Sequence, residues 1–581
     1  MRHVSGDTVI CYNGEIYNYL ELTQRLKAEG VSFTSQSDTE VLIEAYRRWG
    51  IDFLSELNGM FSFALYDAPR RRLIAARDRY GEKPFLYVST PGFFAFASEY
   101  KALLALAEVD DGVDAGRALR FLVRGSEGLD DERLTAFPAV QQLLPGECLT
   151  LNIDTLTVSV QRYWTLRPDS DAARLDFPAA ANRLRELLTD SVRLRLRSDV
   201  PVGSCLSGGL DSGSIVCLAR NQRGSGEYHA FSGRFPGTAV DEGPFIESVA
   251  RATRATVHQV APRPERLLEE LPAFVWHNEL PVSSASQYAQ WCVFRLARQE
   301  GVIVLLDGQG GDELLAGYEQ HFRAYVGEGG VGRKEHDAIR QRYPVGLAGL
   351  SERAKRMLPS GMRRILAHQT GRGSDMLFGI ETDAASAIAA ASEVRNGGWT
   401  GLQGVLFQES FHTVLPTLLR YGDRNSMAHS VEVRLPFCDH RLAEFIFALP
   451  PSYLMGNAQT KRLLREAMRG ILPETVRTRW NKQGFMPPQD IWMRERLAIE
   501  VEAMIAAPEF AARGYWNVAW WRSAISRFKA GDSTLSGTLW KLFVAEAWQR
   551  HFVERVRRQD KVSLFGDTVD HARDLHQSLP S

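Results

Sequence analysis

The chain has 581 residues, 44% hydrophobic and 24% charged, with a formal net charge of -1. That length allows more than one core, at roughly 100–200 residues per domain, and the near-neutral balance argues against nucleic-acid or acidic-membrane partners. No apolar run reaches the roughly 18 residues of a membrane-crossing helix, the opening MRHVSGDTVICYNG does not read as a signal peptide, and six scattered cysteines without a CxxC pair read as small buried hydrophobes in a reducing cytoplasm.

From the N-terminus, TVICY reads as a strand, LELTQRLKAEG as an amphipathic helix ending at Gly30, and DTEVLIEAYRRWG as a second helix. GMFSFALYD, RRLIAARD and GFFAFAS read as strands between turns, and GECLTLNI with LTVSVQRYW as a final strand pair. The polar segment PDSDAARLDFPAA then divides a first unit, 1–165, from a second, 180–555. In the second, ANRLRELLTDSVRLRLRS is helical, PVGSCLS is a strand with its turn, and GSIVCLAR is a helix. HAFSGRF, TVHQVA and VIVLLDG are further strands. Strands alternating with helices predict a parallel, doubly wound sheet. Residues 326–400, with a basic stretch at 353–367, read as a solvated helical insertion or a substrate lid. Residues 556–581 read as a polar, fraying tail.

The strongest chemical signal is Ser207-Gly208-Gly209-Leu210-Asp211-Ser212-Gly213, between an apolar strand and a helix. Two glycines let backbone approach an anion, and the helix N-terminus offers N–H donors to it. Ser207 and Ser212 add hydroxyls. Asp211 repels a bare phosphate, so it makes sense as a ligand of Mg²⁺ bound to that phosphate. The spacing is not GxxxxGK[ST]. A glycine turn alone would explain a GG pair, but not this whole run.

After VIVLLDG comes Gln309-Gly310-Gly311-Asp312-Glu313. Ligands of open α/β sheets bind beyond strand ends, and Asp312 there suits a second Mg²⁺ carboxylate. A helix cap would explain Asp312 and Glu313 equally well if the loop stood alone.

The first loop resembles the PP-loop of N-type ATP pyrophosphatases. Together the two loops resemble the class B asparagine synthetase family, whose relatives include β-lactam synthetases and lasso-peptide cyclases. Leu419-Arg420-Tyr421-Gly422-Asp423-Arg424-Asn425-Ser426-Met427-Ala428-His429 and Glu432-Val433-Arg434-Leu435-Pro436-Phe437-Cys438-Asp439-His440-Arg441 look like further family blocks, as do Thr460-Lys461 and Asn481-Lys482-Gln483-Gly484-Phe485. The resemblance implies an α/β chain: a truncated Ntn-type α+β sandwich with glutamine-amidotransferase ancestry, then a PP-loop doubly wound sheet with a helical C-terminal part.

It also implies ATP and Mg²⁺ as cofactors and a reaction yielding pyrophosphate, AMP and an amide. Leu206, Ser207, Gly208, Gly209, Asp211, Ser212, Ser232, Gly233, Asp307 and Gly308 would bind ATP. Asp211 and Asp312 would hold the metal, and Lys461 would offset charge during acyl transfer. Gln309 departs from the family, which commonly has Glu there; β-lactam synthetases carry Tyr. Gln is no general base but can hydrogen-bond an amine. The expected substrates are aspartate or another carboxylate with glutamine or ammonia, and relatives suggest a homodimer. An amide synthetase of a specialised pathway and a non-catalytic scaffold are the competing readings.

Asn13-Gly14-Glu15-Ile16-Tyr17-Asn18-Tyr19 resembles the family's glutaminase motif, and Ser37-Asp38-Thr39-Glu40 its amino-binding motif. Asn13 and Gly14 would form an oxyanion hole, while Glu15 and Asp38 would bind glutamine. The family's nucleophile is an N-terminal cysteine, yet the chain opens Met1-Arg2. Cys11 has no free amine beside it and is expected in the core. Two expectations follow: the true start lies upstream at a Met-Cys, or the unit is a degenerate scaffold. Missing opening strands would bare a sheet edge, which favours the upstream start.

Overall fold

The computed structural model describes residues 1–125, 129, 132–224, 226–329, 331–343, 379–381, 397–481 and 485–564. The first unit carries β1 (Thr8–Ile16), β2 (Gly59–Asp67), β3 (Arg72–Arg77), β4 (Leu86–Ser89), β5 (Phe94–Ala97), β6 (Gln141–Gln142), β7 (Glu147–Asn152) and β8 (Val158–Arg162). They form two antiparallel sheets, β1-β2-β3-β7-β8 and β5-β4-β6. Side chains alternate across a strand. Ile10, Phe61, Phe63 and Leu65 therefore bury against the helices Tyr19–Ala28 and Asp38–Trp49, while Ala64, Ala75 and Leu149 bury against Tyr87 of the second sheet and Phe85 just before it. Leu86 and Val88 pack on further helices, which completes an α-β-β-α sandwich.

Cys11, expected in the core, is exposed. Ile10 turns toward the helices, so Cys11 points to the opposite face, and β1 is the edge strand of its sheet. The second sheet packs on the inner strands and leaves Cys11 uncovered. Cys205 is half-buried, and the other four cysteines are buried.

The second unit carries β9 (Val202–Cys205), β10 (His229–Gly233), β11 (Thr256–Val260), β12 (Val304–Leu306) and β13 (Glu432–Arg434), all parallel, in the order β11-β10-β9-β12-β13. β13 lies inside a family block; at three residues it is too short for periodicity to reveal. The helix Phe177–Arg195 starts where Asp176 accepts the Ala179 N–H at 2.9 Å and Pro178 occupies the first turn. The C-terminal helices bury Trp521, Trp540 and Trp548 in a core that also takes Leu86, Val88 and Phe137 from the first unit. Among the described residues, no helix is long and apolar enough to cross a membrane.

Polar pairs, several of them buried, join the units. Lys83 Nζ lies 3.0 Å from Asp423, with both side chains at most 6% exposed. Glu279 accepts the N–H groups of Tyr100 (3.1 Å) and Lys101 (2.9 Å) and pairs with Arg424 at 2.9 Å. Arg197 grips Glu21 through two 2.6 Å bonds. Val562 and Lys561 bond the chain near Leu104 and Ala105, so the C-terminal segment lies against the first unit as far as Leu564. The basic stretch at 353–367, residues 482–484 of the Asn481–Phe485 block, and the tail beyond 564 lie outside the described residues.

Candidate active site

The order of the parallel sheet reverses between β9 and β12, and the two loops leaving those strands open toward one crevice. The first loop begins with Leu206, whose N–H bonds Phe231 O at 2.8 Å. Gly208 has φ +79°, and an added Cβ would press on Phe245 and Glu242, so only glycine turns the chain here. Gly209 then caps the helix Leu210–Arg223 without a side-chain bond, which leaves its first N–H groups for a ligand. The Ser207 and Ser212 hydroxyls lie 3.0 Å apart, and Ser212 Oγ also accepts the Ser207 N–H at 3.2 Å.

The second loop docks against the start of that helix through its glycines. A Cβ on Gly308 would lie 3.0 Å from Ser212 N, and one on Gly311 would lie 2.9 Å from Asp211 Cγ. Asp307 Oδ1 accepts the Gly308 N–H at 2.7 Å. Burial pushes the Asp307 carboxyl up to about 6, opposed by that hydrogen bond.

Asp211 and Asp312 converge on one cation: Lys461 Nζ lies 2.5 Å from Asp211 and 2.6 Å from Asp312. Lys461 is 2% exposed and stands just before the helix Arg462–Ala467, with φ +50°. It is therefore a buried ion-pair partner, not a solvated lysine. Gly317 completes the cluster, since a Cβ there would collide with Asp312 and the Lys461 stem. Next to it Glu313 is 1% exposed and accepts the Tyr318 hydroxyl proton in a hydrogen bond. Burial, with the Asp312 charge, pushes the Glu313 carboxyl up to about 7.

Two carboxylates that already share one cation suit a single Mg²⁺ held by both, the number Mg²⁺ usually takes from protein. Among the described residues no cluster of three His, Cys, Asp or Glu side chains offers an alternative metal site.

These loops wall a cavity of about 370 Å³. Leu206, Ser207, Ser232, Gly233, Gly308 and Gln309 all line it, with Asp211, Ser212, Asp307 and Asp312. One end is apolar, formed by Phe231, Val293 and Phe485, with Gly233 admitting the Phe485 ring. Another corner holds Gln287, Gln290 and Tyr421. Sequence reasoning missed these, and it missed Glu319, Tyr343, Thr460 and Trp480 on the wall. Tyr421, Thr460 and Phe485 lie in blocks already read in the sequence, though nothing there assigns them to a cavity, while Gln287, Gln290, Glu319, Tyr343 and Trp480 stand outside any motif.

The glutamine-binding candidates gather at the inner end of β1. Asn13 Nδ2 donates to Ser98 Oγ at 3.2 Å. Asp38 Oδ2 accepts from Tyr12 OH (2.7 Å) and the Ile16 N–H (3.0 Å), so it ties its helix to β1. Gly14 has φ +150° and lies against Met60, where a Cβ would clash with backbone. Glu15 faces Arg434 of the second unit at 3.5 Å, and burial pushes its carboxyl up to about 7. Between the sites a void of about 20 Å³ is bounded by Met60, Glu82 and Lys83 on one side and by Asp307, Gln309 and Leu418 on the other.

Comparison with known proteins agrees with this division of labour. The asparagine synthase family profile matches residues 183–550, and the glutamine amidotransferase domain profile matches residues 1–164. The glutamine-hydrolysing asparagine synthetase 3 of Bacillus subtilis (strain 168) is 31% identical over 486 residues, covering 81% of this chain and 74% of the relative. Synthetase 1 of the same organism is 28% identical over 587 residues, covering 96% and 88%.

Proposed function

The chain belongs to the asparagine synthase family, and on that premise we propose that it joins ammonia to a carboxylate, most simply the side chain of aspartate, at the expense of ATP. In the first step a carboxylate oxygen attacks the α-phosphorus of ATP, and the α–β bond breaks to release pyrophosphate. In the second, ammonia attacks the acyl carbon, AMP leaves, and the amide nitrogen loses a proton.

The observation that carries this reading is the Lys461 cation buried between Asp211 and Asp312, at the mouth of a glycine loop and a helix N-terminus. Ser207, Gly208, Gly209 and Ser212 present hydroxyl and N–H donors for the departing pyrophosphate. Asp211 and Asp312 are the residues that would hold Mg²⁺. When bound, the metal neutralises phosphate charge as it develops. Lys461 supplies a fixed positive charge in a site that excludes water, where such a charge acts most strongly. Ser232 and Gly233 border the apolar end and suit the adenine. Leu206, Asp307 and Gly308 border the ribose and phosphate side. Gln309 stands where the cavity meets the 20 Å³ void, suited to accept a hydrogen bond from an incoming amine.

In the first unit, Asn13, Gly14, Glu15 and Asp38 are the residues we assign to glutamine. We take 1–165 as the amidotransferase domain and 180–555 as the synthetase domain. The interface void, walled by residues of both, supports passage of ammonia from one to the other.

The test is transfer of labelled nitrogen. Protein incubated with ATP, Mg²⁺, aspartate and ¹⁵N-ammonium should yield ¹⁵N-asparagine by mass spectrometry. Unlabelled product, or none while ATP is consumed with another acid, would overturn the aspartate assignment.

A further inference from the structure

Four carboxylates line the 370 Å³ cavity: Asp211, Asp307, Asp312 and Glu319. Three are committed. Asp211 and Asp312 share Lys461, and Asp307 holds the Gly308 N–H. Glu319 has no hydrogen-bond or ion-pair partner for its side chain among the described residues, and burial alone raises its carboxyl. It stands in the turn after Tyr318, just before the helix His321–Gly327. Across from it is Tyr343, 1% exposed and packed between the rings of Phe322 and Trp480. Burial raises the Tyr343 hydroxyl, opposed by the charges of Arg465 and Arg342 and by Thr460, with a smaller contribution from Glu319.

A half-buried carboxylate in a cavity wall costs desolvation that no described side chain returns. Among the described residues, no Lys or Arg lines this cavity to return it. Glu319 also does not join Asp211 and Asp312 as a metal ligand, because no three acidic or His side chains gather there among the described residues. Among the described residues, no side chain offers the compensating cation, and an ammonium carried by a ligand would supply it.

We propose that Glu319, on the cavity wall, is the specificity subsite for an ammonium group carried by the carboxylic substrate, so that the cavity selects amino acids over the corresponding simple acids. The proposal rests on the proposed function only in placing a carboxylic substrate in this cavity. Glu319 accepts hydrogen bonds from the ammonium and balances its charge. Tyr343 and Trp480 line the same cavity.

Calorimetric binding tests this without turnover. The full chain, loaded with Mg²⁺ and a non-hydrolysable ATP analogue, is titrated with aspartate against succinate and with glutamate against glutarate. Loss of a charge-assisted hydrogen bond to a buried carboxylate costs about tenfold or more in affinity. In at least one pair the amino acid should therefore bind about tenfold more tightly than its deaminated partner. Glu319→Gln should abolish that preference with nucleotide affinity unchanged, and Glu319→Asp should keep part of it. A wild-type protein that does not prefer the amine overturns the proposal. So does a preference that survives in Glu319→Gln, or a loss of Mg²⁺ affinity with the preference intact. Failure to form ¹⁵N-asparagine counts against the proposed reaction, whereas these titrations report on Glu319 alone.

Discussion

Replacing Lys461 by Met keeps the volume of the side-chain stem and removes its charge. Lys461 is 2% exposed, and its partners lie at 2.5 and 2.6 Å with side-chain exposures of 9% for Asp211 and 19% for Asp312. Breaking a buried pair by deleting one member costs about 3–5 kcal/mol. Here two carboxylates are left facing each other, so the upper end of that range applies, a fall in unfolding midpoint of roughly 6 °C for a domain of this size. A divalent cation supplies the missing charge. Thermal unfolding of wild type and Lys461→Met, each titrated with MgCl₂ and followed by calorimetry, should therefore show a large rise for the variant. The wild-type midpoint should move less, because Lys461 already offsets one of the two negative charges. Equal Mg²⁺ responses in the two proteins, or a variant as stable as wild type without metal, would refute the reasoning that these carboxylates form one cation site.

Asp211→Asn should lower pyrophosphate release at least about a hundredfold while circular dichroism stays native, since it removes one of two metal carboxylates. Gly317→Ala should be nearly as damaging, because its Cβ overlaps Asp312 and the Lys461 stem; near-normal release by this variant would contradict the packed cluster. Lys83→Met should destabilise the join between the units by about 3–5 kcal/mol, read as separation of one unfolding transition into two. Glu313 should make the fold pH-sensitive. Burial holds its carboxyl near 7 against an ordinary value of 4.5, so the unfolded chain releases that proton first. Stability is then lost as pH rises from about 4.5 to about 7, by at most about 3 kcal/mol. Glu313→Gln should flatten that slope, and an unchanged slope would rule the residue out as its source.

The two glycine loops were legible because their chemistry is local. Each motif is a run of adjacent residues whose spacing alone implies backbone approach, and the fold adds only that both leave neighbouring strands at the reversal of the sheet. Lys461 was legible by resemblance, but its place was not. It lies 250 residues from Asp211 along the chain, and no periodicity announces that one ammonium will hold both carboxylates. Glu319 and Tyr343 were illegible for the same reason, since a single acid in a turn and a single tyrosine at a helix end look like surface residues until the cavity closes around them. Cys11 failed through geometry. An apolar strand suggested a two-sided core, but β1 is an edge strand whose outer face is uncovered. The three-residue strand β13 is defined by its pairing with β12, which exists only in three dimensions.

The central claim is that this site cleaves ATP between its α- and β-phosphates. The direct measurement is the nucleotide product formed from α-labelled ATP in the presence of Mg²⁺, a panel of amino acids that includes aspartate, and ammonium. The loop, the carboxylate pair and Lys461 predict AMP in equal amount with pyrophosphate, and at least about a hundredfold less of both from Asp211→Asn. Release of ADP and orthophosphate instead would contradict the assignment of the glycine loop and with it the proposed reaction.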